Sequence, residues 1–159
     1  PDLDESGWHT ALHEAIARQS LPNSQYLTAV YALYDASTRE LRLARGGHPH
    51  PILMRAGGTI DELGEPGGLN GLADLDPAFV EYRCELAPGD KLLLYTDGIE
   101  DILLRGREEA GSPDRFTPQM REWARLDAAG FTEAMCGHVD ACEGSLHPDD
   151  DMTVLVMQV

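Results

Sequence analysis

The stretch that most constrains this chain is residues 91–101, which read KLLLYTDGIED. The apolar run at residues 92–95 is too short for a helix core and lacks the alternation of a half-buried strand. Such a run is typical of a strand that is covered on both faces. Asp97 and Gly98 follow directly, and we expect Gly98 to permit a sharp turn that leaves the Asp97 carboxylate at the mouth of a rigid strand. This position suits a metal ligand, although Asp-Gly after a strand is also an ordinary turn.

A second acidic cluster lies near the other end of the sequence, where HPDDDMTVLVM occupies residues 147–157. Asp149, Asp150 and Asp151 come shortly before a short apolar run that predicts a buried strand. If the two strands are antiparallel neighbours, the end of the first and the start of the second meet at one edge of the sheet. Hard cations such as Mg²⁺ and Mn²⁺ prefer oxygen ligands. The two stretches together therefore predict a divalent metal site.

Length and charge limit the classes of protein to consider. A chain of 159 residues can bury a proper core, and we predict a single domain over residues 1–159. The 28 acidic residues outnumber the 12 basic ones and give a net charge of −16, which argues against nucleic acid or an anionic membrane as a partner. No apolar run approaches membrane-spanning length and the first residues are no signal peptide. We therefore expect a cytoplasmic protein without membrane insertion.

Cysteine usage agrees with this expectation. The sequence has three cysteines and no CxxC pair, and they stand at Cys84, Cys136 and Cys142. An odd set without metal-binding spacing predicts reduced, partly buried thiols rather than a zinc site.

The remaining patterns predict an α+β fold in which helices pack on antiparallel sheet. An amphipathic helix is expected at residues 8–19, with Ser6 as its cap. About six strands, mainly joined by hairpins, are predicted at residues 26–34, 40–45, 52–55, 80–86, 91–97 and 154–157. Two further helices are predicted at residues 118–125 and 128–142.

Three loops separate these elements. Residues 46–51, GGHPHP, predict a tight loop. His48 and His50 are possible metal ligands by type, but the intervening proline fixes them awkwardly, and we favour a structural loop with His48 hydrogen-bonded to backbone. The glycine-rich residues 62–76 predict a loop beside the site or a lid, without the lysine of a P-loop. Residues 105–118 predict an exposed, charged flap.

The order of these motifs resembles one family. GGHPHP, a glycine-rich loop, APGD, LLLYTDGIED and DDMTVLV follow one another as in the PPM (protein phosphatase 2C-like) family, specifically its bacterial SpoIIE-like or RsbU-like branch. The resemblance spans essentially the whole chain. YTDG and DDMT in this order, with GGHP upstream, are specific, whereas each alone is weak. The resemblance implies an α/β/β/α sandwich of antiparallel sheets flanked by helices.

The resemblance also implies an activity, that of a metal-dependent serine/threonine phosphatase. In that family two Mn²⁺ or Mg²⁺ ions at one edge between the sheets bridge a water that attacks the phosphorus, and the ions stabilise the developing charge. Asp97 of YTDG and Asp150 of DDMT match the family's metal-ligating aspartates, and we take them as the catalytic pair. The first acid of the DD pair binds in the family pattern, so Asp150 is favoured over Asp151 and Asp149. Gly98 and Asp151 complete the predicted metal-site residues.

One family motif has no counterpart in this sequence. It is a Gly-Asp and Gly-His-Gly stretch with a bridging aspartate, and it would precede the first helix together with the first strands of one sheet. We interpret the chain as the larger, C-terminal part of such a domain; the alternatives are a portion omitted from the sequence or a divergent homologue. A chain without the bridging acid would not assemble the usual two-metal centre, and the activity it keeps would depend on a weak single metal site.

The partner implied by the resemblance is a phosphorylated regulatory protein of the anti-sigma-factor antagonist type, acting in stress-responsive control of a sigma factor. A dimer is compatible with it. Two other hypotheses stay open at this point. One is a catalytically inactive partner-binding module that keeps the fold, and the other is an unrelated α+β domain whose acids merely form turns.

Overall fold

The computed structural model describes residues 5–18, 26–65, 68–70, 79–105, 115–142 and 151–159. Its helices are α1 (Glu5–Ala17), α2 (Glu100–Leu103), α3 (Pro118–Trp123) and α4 (Ala128–Ala141), with a 3-10 helix at Asp97–Ile99. Its strands are β1 (Ala29–Asp35), β2 (Glu40–Gly46), β3 (Ile52–Met54), β4 (Ile60–Glu62), β5 (Glu81–Glu85), β6 (Lys91–Tyr95) and β7 (Val154–Gln158). The chain divides into two compact units. The predicted α+β class with antiparallel sheets is confirmed.

The first unit comprises the described parts of Pro1–His50 and Leu63–Leu86. Its antiparallel sheet has the order β1-β2-β5, which confirms the predicted β1–β2 hairpin. Helix α1 packs on β1 and β2, and the Trp8 ring stacks on Tyr31 with 5.6 Å between ring centroids. Trp8 is nevertheless 47% exposed, so the apolar face of α1 is only half covered. Ser6 lies inside α1, and its predicted role as the cap is therefore wrong.

The second unit comprises Pro51–Glu62 and the described part of Ala87–Val159. Its antiparallel sheet has the order β4-β3-β6-β7. Leu93 and Tyr95 of β6 belong to a buried cluster together with residues from α3 and α4, namely Met120, Trp123, Phe131 and Met135. Leu92, which points to the other face of β6, is also buried. Residues on both faces of β6 are thus buried, which confirms the prediction of a strand covered on both faces. Burial on both faces explains why the apolar run does not alternate.

The two C-terminal helices begin at side-chain caps. The Thr117 hydroxyl accepts from the Met120 amide at 3.2 Å, and the Asp127 carboxylate accepts from the Gly130 amide at 2.8 Å. Each bond satisfies an amide that the first helical turn leaves without a partner. The predictions for residues 118–125 and 128–142 therefore agree with α3 and α4 to within two residues.

β4 was not predicted as a strand, and its last residue, Glu62, falls in the loop expected at residues 62–76. It pairs with β3, and three residues with one apolar position give too little pattern to predict. The other described residues of that loop lie outside the named helices and strands, although Leu63 and Asn70 are buried. Residues 66–67 and 71–76 lie outside the described part. Phe116 of the expected exposed flap is buried, at 6% exposure, so the prediction of exposure is wrong at this residue. Residues 106–114 of that flap are not among those described.

None of the described helices has the length and apolar character needed to cross a membrane.

A buried carboxylate fixes the turn that leads into β6. Asp90, 1% exposed, accepts from the Arg55 guanidinium at 2.8 Å and from the amides of Ala56 and Ala87 at 2.9 and 2.8 Å. Burial is the largest single influence and by itself raises the pKa of Asp90. The hydrogen bonds from Ala56, Ala87 and Arg55 together outweigh it, so that the pKa of Asp90 is lowered.

We expect Asp90→Asn to lower the free energy of unfolding at pH 7 by about 2 kcal/mol, because it removes the charge that three donors share. A carboxyl with a lowered native pKa stabilises the fold above its unfolded pKa, and that stability is lost as the pH falls through the native value. The difference in free energy of unfolding between wild type and variant should therefore begin to narrow below about pH 4, and it should vanish once the pH is below the lowered native pKa of Asp90. Urea titrations across pH test this, with Asp61→Asn, an exposed acid of β4, as the control. An unchanged gap at low pH would contradict the assignment.

Candidate metal site

The end of β6 and the start of β7 lie side by side. The two strands pair antiparallel, with Tyr95 opposite Val154. The ladder continues by one more bond, from the Thr96 amide to the Thr153 carbonyl at 3.0 Å. The predicted antiparallel neighbourhood of the two acidic stretches is thus observed, and it brings Asp97 and the residues just before β7 to one edge of the sheet.

The hydroxyl of Thr96 locks this edge. Thr96 Oγ1 donates to the Asp151 carbonyl at 2.9 Å and accepts from the Thr153 amide at 2.8 Å. One side chain therefore holds the main chain on both sides of Met152 and fixes how the segment from Asp151 enters β7. This role of the Thr96 hydroxyl was not predicted from the sequence. The motifs YTDG and DDMT each contain a threonine, and that is the signal that could have indicated it.

Asp97 stands immediately after the lock and opens the 3-10 helix Asp97–Ile99. The next residues are anchored, since the Ile99 amide donates to the Thr96 carbonyl at 3.3 Å and the Ile99 side chain is buried. The Asp97 side chain itself is exposed, and among the described residues it makes no hydrogen bond or ion pair. A rigid backbone thus presents an open carboxylate, which is the arrangement that a ligand for an external cation needs.

The sharp turn predicted after β6 is observed as the 3-10 turn at Asp97–Ile99, closed by the bond from the Ile99 amide to the Thr96 carbonyl. Among the described glycines, a positive φ occurs at Gly47, Gly58, Gly64 and Gly89. Gly98 is not among them, so this turn does not use the left-handed conformation that favours glycine. The role of Gly98 beside a bound ion stays a prediction.

The donors at this edge suit a hard cation. Asp97 and Asp151 offer carboxylate oxygens, and both are exposed, so they fit such an ion as part of its ligand set. Asp149 and Asp150, the latter our second predicted catalytic residue, lie outside the described residues. Within the described part of the chain, no group of three or more His, Cys, Asp or Glu side chains is arranged to hold a metal ion. The two acids are therefore a partial set.

The histidines of GGHPHP are held by main-chain contacts within the first unit. His50 Nδ1 lies 3.0 Å from the Leu63 carbonyl oxygen, and the His48 carbonyl accepts from the Arg45 guanidinium. The structural loop is thus observed, and the His50 ring contacts backbone. The predicted bond from the His48 ring to backbone stays a prediction. In the part of the chain that the structure describes, the three cysteines form no disulfide, and Cys136 and Cys142 are exposed while Cys84 is half-buried.

Three solved structures are similar to this chain in fold and define its class. The SiaA-PP2C domain of Pseudomonas aeruginosa superimposes with a TM-score of 0.72 at 20% identity, over 98% of this chain and 60% of that one. The RsbU and RsbW domains of Rv1364c from Mycobacterium tuberculosis give 0.66 at 22% identity, over 91% and 41%. The Mn-presoaked phosphatase domain of SpoIIE from Bacillus subtilis gives 0.58 at 16% identity, over 99% and 66%. The fold is therefore the PP2C-like fold.

The sequence then defines the family. The family model described as Stage II sporulation protein E (SpoIIE) matches residues 1–159. The chain belongs to the SpoIIE family, which confirms the resemblance found in its motifs. No curated protein sequence matches it. The chain spans 41% and 60% of the Mycobacterium and SiaA structures, so it corresponds to a part of each.

The two hydrogen bonds of the Thr96 hydroxyl allow a prediction for two substitutions at this position. Thr96→Val keeps the shape of the side chain but removes the hydroxyl, leaving the Asp151 carbonyl and the Thr153 amide without this partner. We expect a loss of about 1–2 kcal/mol in the free energy of unfolding and faster hydrogen exchange at the Thr153 amide. Thr96→Ser retains the hydroxyl and serves as the control. Equal exchange rates in the two variants would show that the hydroxyl does not hold this edge.

Proposed function

We propose that this chain contributes the metal-binding edge of a phosphoprotein phosphatase that hydrolyses phosphoserine or phosphothreonine. The observation that carries the proposal is the pair of hydrogen bonds made by the Thr96 hydroxyl. They hold the backbone at Asp151 and Thr153 beside the strand end that Asp97 follows. Membership in the SpoIIE family and likeness in fold to the phosphatase domain of SpoIIE from Bacillus subtilis support the same reaction class.

In this proposal Asp97, Asp150 and Asp151 would hold the cation, with Gly98 beside it. The donors are oxygens, and a B. subtilis relative was presoaked with Mn, so Mn²⁺ or Mg²⁺ is the proposed ion. When bound, such ions supply Lewis-acid stabilisation of charge on phosphate oxygens and lower the pKa of water. The family resemblance implies two ions, with a bridging acid that is not in this sequence.

The contribution of the chain's own residues is positioning. β6 is paired with β3 along Lys91–Leu93 and with β7 along Lys91–Tyr95, so Asp97 follows two residues after a strand that is held on both sides. The Thr96 hydroxyl keeps the Asp151 backbone in reach of the same edge. A carboxylate that needs no rearrangement before it binds loses little free energy in doing so.

The substrate is proposed from the same relatives. The Mycobacterium structure joins an RsbU domain to an RsbW domain, and we propose for this chain a phosphorylated regulatory protein of the anti-sigma-factor antagonist type. The net charge of −16 disfavours a nucleic-acid substrate through repulsion of phosphate backbones.

The test is hydrolysis of p-nitrophenyl phosphate and of a phosphoserine protein by the chain, with Mn²⁺ and with EDTA. We expect turnover only with the metal. Asp97→Asn and Asp150→Asn should each reduce it by more than the roughly 10–100-fold that loss of an outer-shell group costs. Asp61→Asn, which removes an exposed acid from β4, is the matched control.

Melting temperatures separate the remaining outcomes. A cation that binds the native state at 100 times its dissociation constant stabilises it by about 2.7 kcal/mol. If Mn²⁺ raises the melting temperature of wild type but not of Asp97→Asn, and no turnover occurs, the site binds metal in a non-catalytic module. Turnover that survives both aspartate substitutions would reject the site assignment.

A further inference from the structure

A cavity of about 620 Å³ opens in the second unit beside the start of β6. It lies between the β3–β4 turn, the first residue of β6 and the segment that joins α3 to α4. Four of the chain's 12 basic residues line it, and they are Arg55, Lys91, Arg121 and Arg125. Asp127 is the one acidic residue of the lining. We call this cavity the basic pocket.

The charge of the basic pocket is opposite to that of the chain. Acidic residues outnumber basic ones by 28 to 12, so five charged residues gathered without selection would be mostly acids. The carboxylate of Asp127 is also engaged, because it caps α4 through the Gly130 amide at 2.8 Å. A concave site lined mainly by one sign of charge concentrates ligands of the other sign. The basic pocket therefore favours an anion.

Lys91 gives the strongest indication that the basic pocket binds an anion. Its side chain lines the pocket although the residue is only 4% exposed, and within the described residues it makes no side-chain hydrogen bond or ion pair. The adjacent carboxylate of Asp90 is already bound by Arg55, Ala56 and Ala87. A largely buried cation without a counter-ion costs free energy. An anion in the pocket would offset that cost.

The arginines supply directional donors. The Arg55 guanidinium donates from Nη1 to the Asp90 carboxylate at 2.8 Å, and this bond fixes the orientation of the guanidinium. A guanidinium has five N–H donors in a planar fork. Arg125 is exposed and has no ion pair among the described residues. Guanidinium groups bind phosphate through paired hydrogen bonds, and a lysine adds a compact charge.

The rest of the lining indicates the size and character of the ligand. A Cβ built at Gly57 or Gly58 would meet no atom within 4 Å, so the β3–β4 turn leaves open space there. Leu126, 40% exposed, and Ala124 add apolar surface. A volume of about 620 Å³ lies in the range of small-molecule and cofactor sites.

We propose that the basic pocket binds a phosphorylated small molecule of about nucleotide size, with its phosphate at Lys91, Arg55 and Arg125. The site is separate from the candidate metal site. Lys91 begins β6 and Asp97 follows its other end, so the two residues are on the order of 20 Å apart along the strand. The proposal therefore does not depend on the proposed phosphatase activity.

The test is a titration of the ¹⁵N-labelled chain with pyrophosphate, AMP and adenosine, in EDTA and at matched ionic strength. EDTA removes any metal that would hold phosphate at the other edge. We expect AMP and pyrophosphate, but not adenosine, to shift the amide signals of Gly57, Gly58 and Gly89. Arg125→Gln and Lys91→Met should each weaken AMP binding about tenfold. Lys91→Met keeps an unbranched apolar side chain, and its melting temperature verifies that it folds.

Arg18→Gln is the matched control, because Arg18 is an exposed arginine that directly follows α1 and pairs with Glu14. An equal loss of affinity in this control would reduce the effect to net charge and overturn the proposal. Failure of both pyrophosphate and AMP to shift the turn signals would also overturn it. Binding of a phosphoserine peptide in place of AMP would reject a small molecule and assign the pocket to a protein segment.

Discussion

The second unit depends on the pairing of β6 with β7, which is secured beyond both ends of the ladder. At one end, the Gly89 amide donates to the Val159 carbonyl at 2.7 Å and the Val159 amide to the Asp90 carbonyl at 3.0 Å. At the other, the Thr96 hydroxyl holds the main chain before β7. A one-residue slip would turn every side chain of β7 to the opposite face. Both bounding contacts oppose such a slip, so the position of Asp97 relative to Asp151 follows from the register.

Much of this arrangement could be predicted from the sequence. The unalternating run of β6 indicated burial on both faces, and a second apolar run after an acidic cluster indicated its partner. The pattern was local and strong in both stretches. The turn after β6 was also predicted, but its 3-10 geometry was not, because Asp-Gly is compatible with several backbone paths. β4 is too short to carry a periodic signal.

The basic pocket could not be predicted at all. Its arginines and Lys91 are scattered through the sequence at positions 55, 91, 121 and 125, each beside neighbours of ordinary composition. Packing of α3 and α4 beside the β3–β4 turn gathers them. Sequence reasoning detects sites that are built from contiguous motifs, such as YTDG, and misses sites that tertiary structure assembles from single residues. The acidic composition argued only against nucleic acid or an anionic membrane as a partner. It gave no sign of a basic cavity, because net charge describes the whole chain and not one cavity.

The two sites occupy opposite ends of the same pair of strands. Asp97 is exposed, and the separation of about 20 Å along the strand is more than two Debye lengths of about 8 Å at physiological salt. Solvent therefore screens Asp97 from a charge in the pocket. An anion at Lys91 would therefore change the field at Asp97 very little. Any coupling between them would have to travel through the strands, and β6 is held on both sides by hydrogen-bonded neighbours. A ladder this constrained transmits displacement poorly unless it has a second discrete arrangement. The structure thus favours two sites that bind independently, so occupancy of the pocket and affinity for the cation should vary separately.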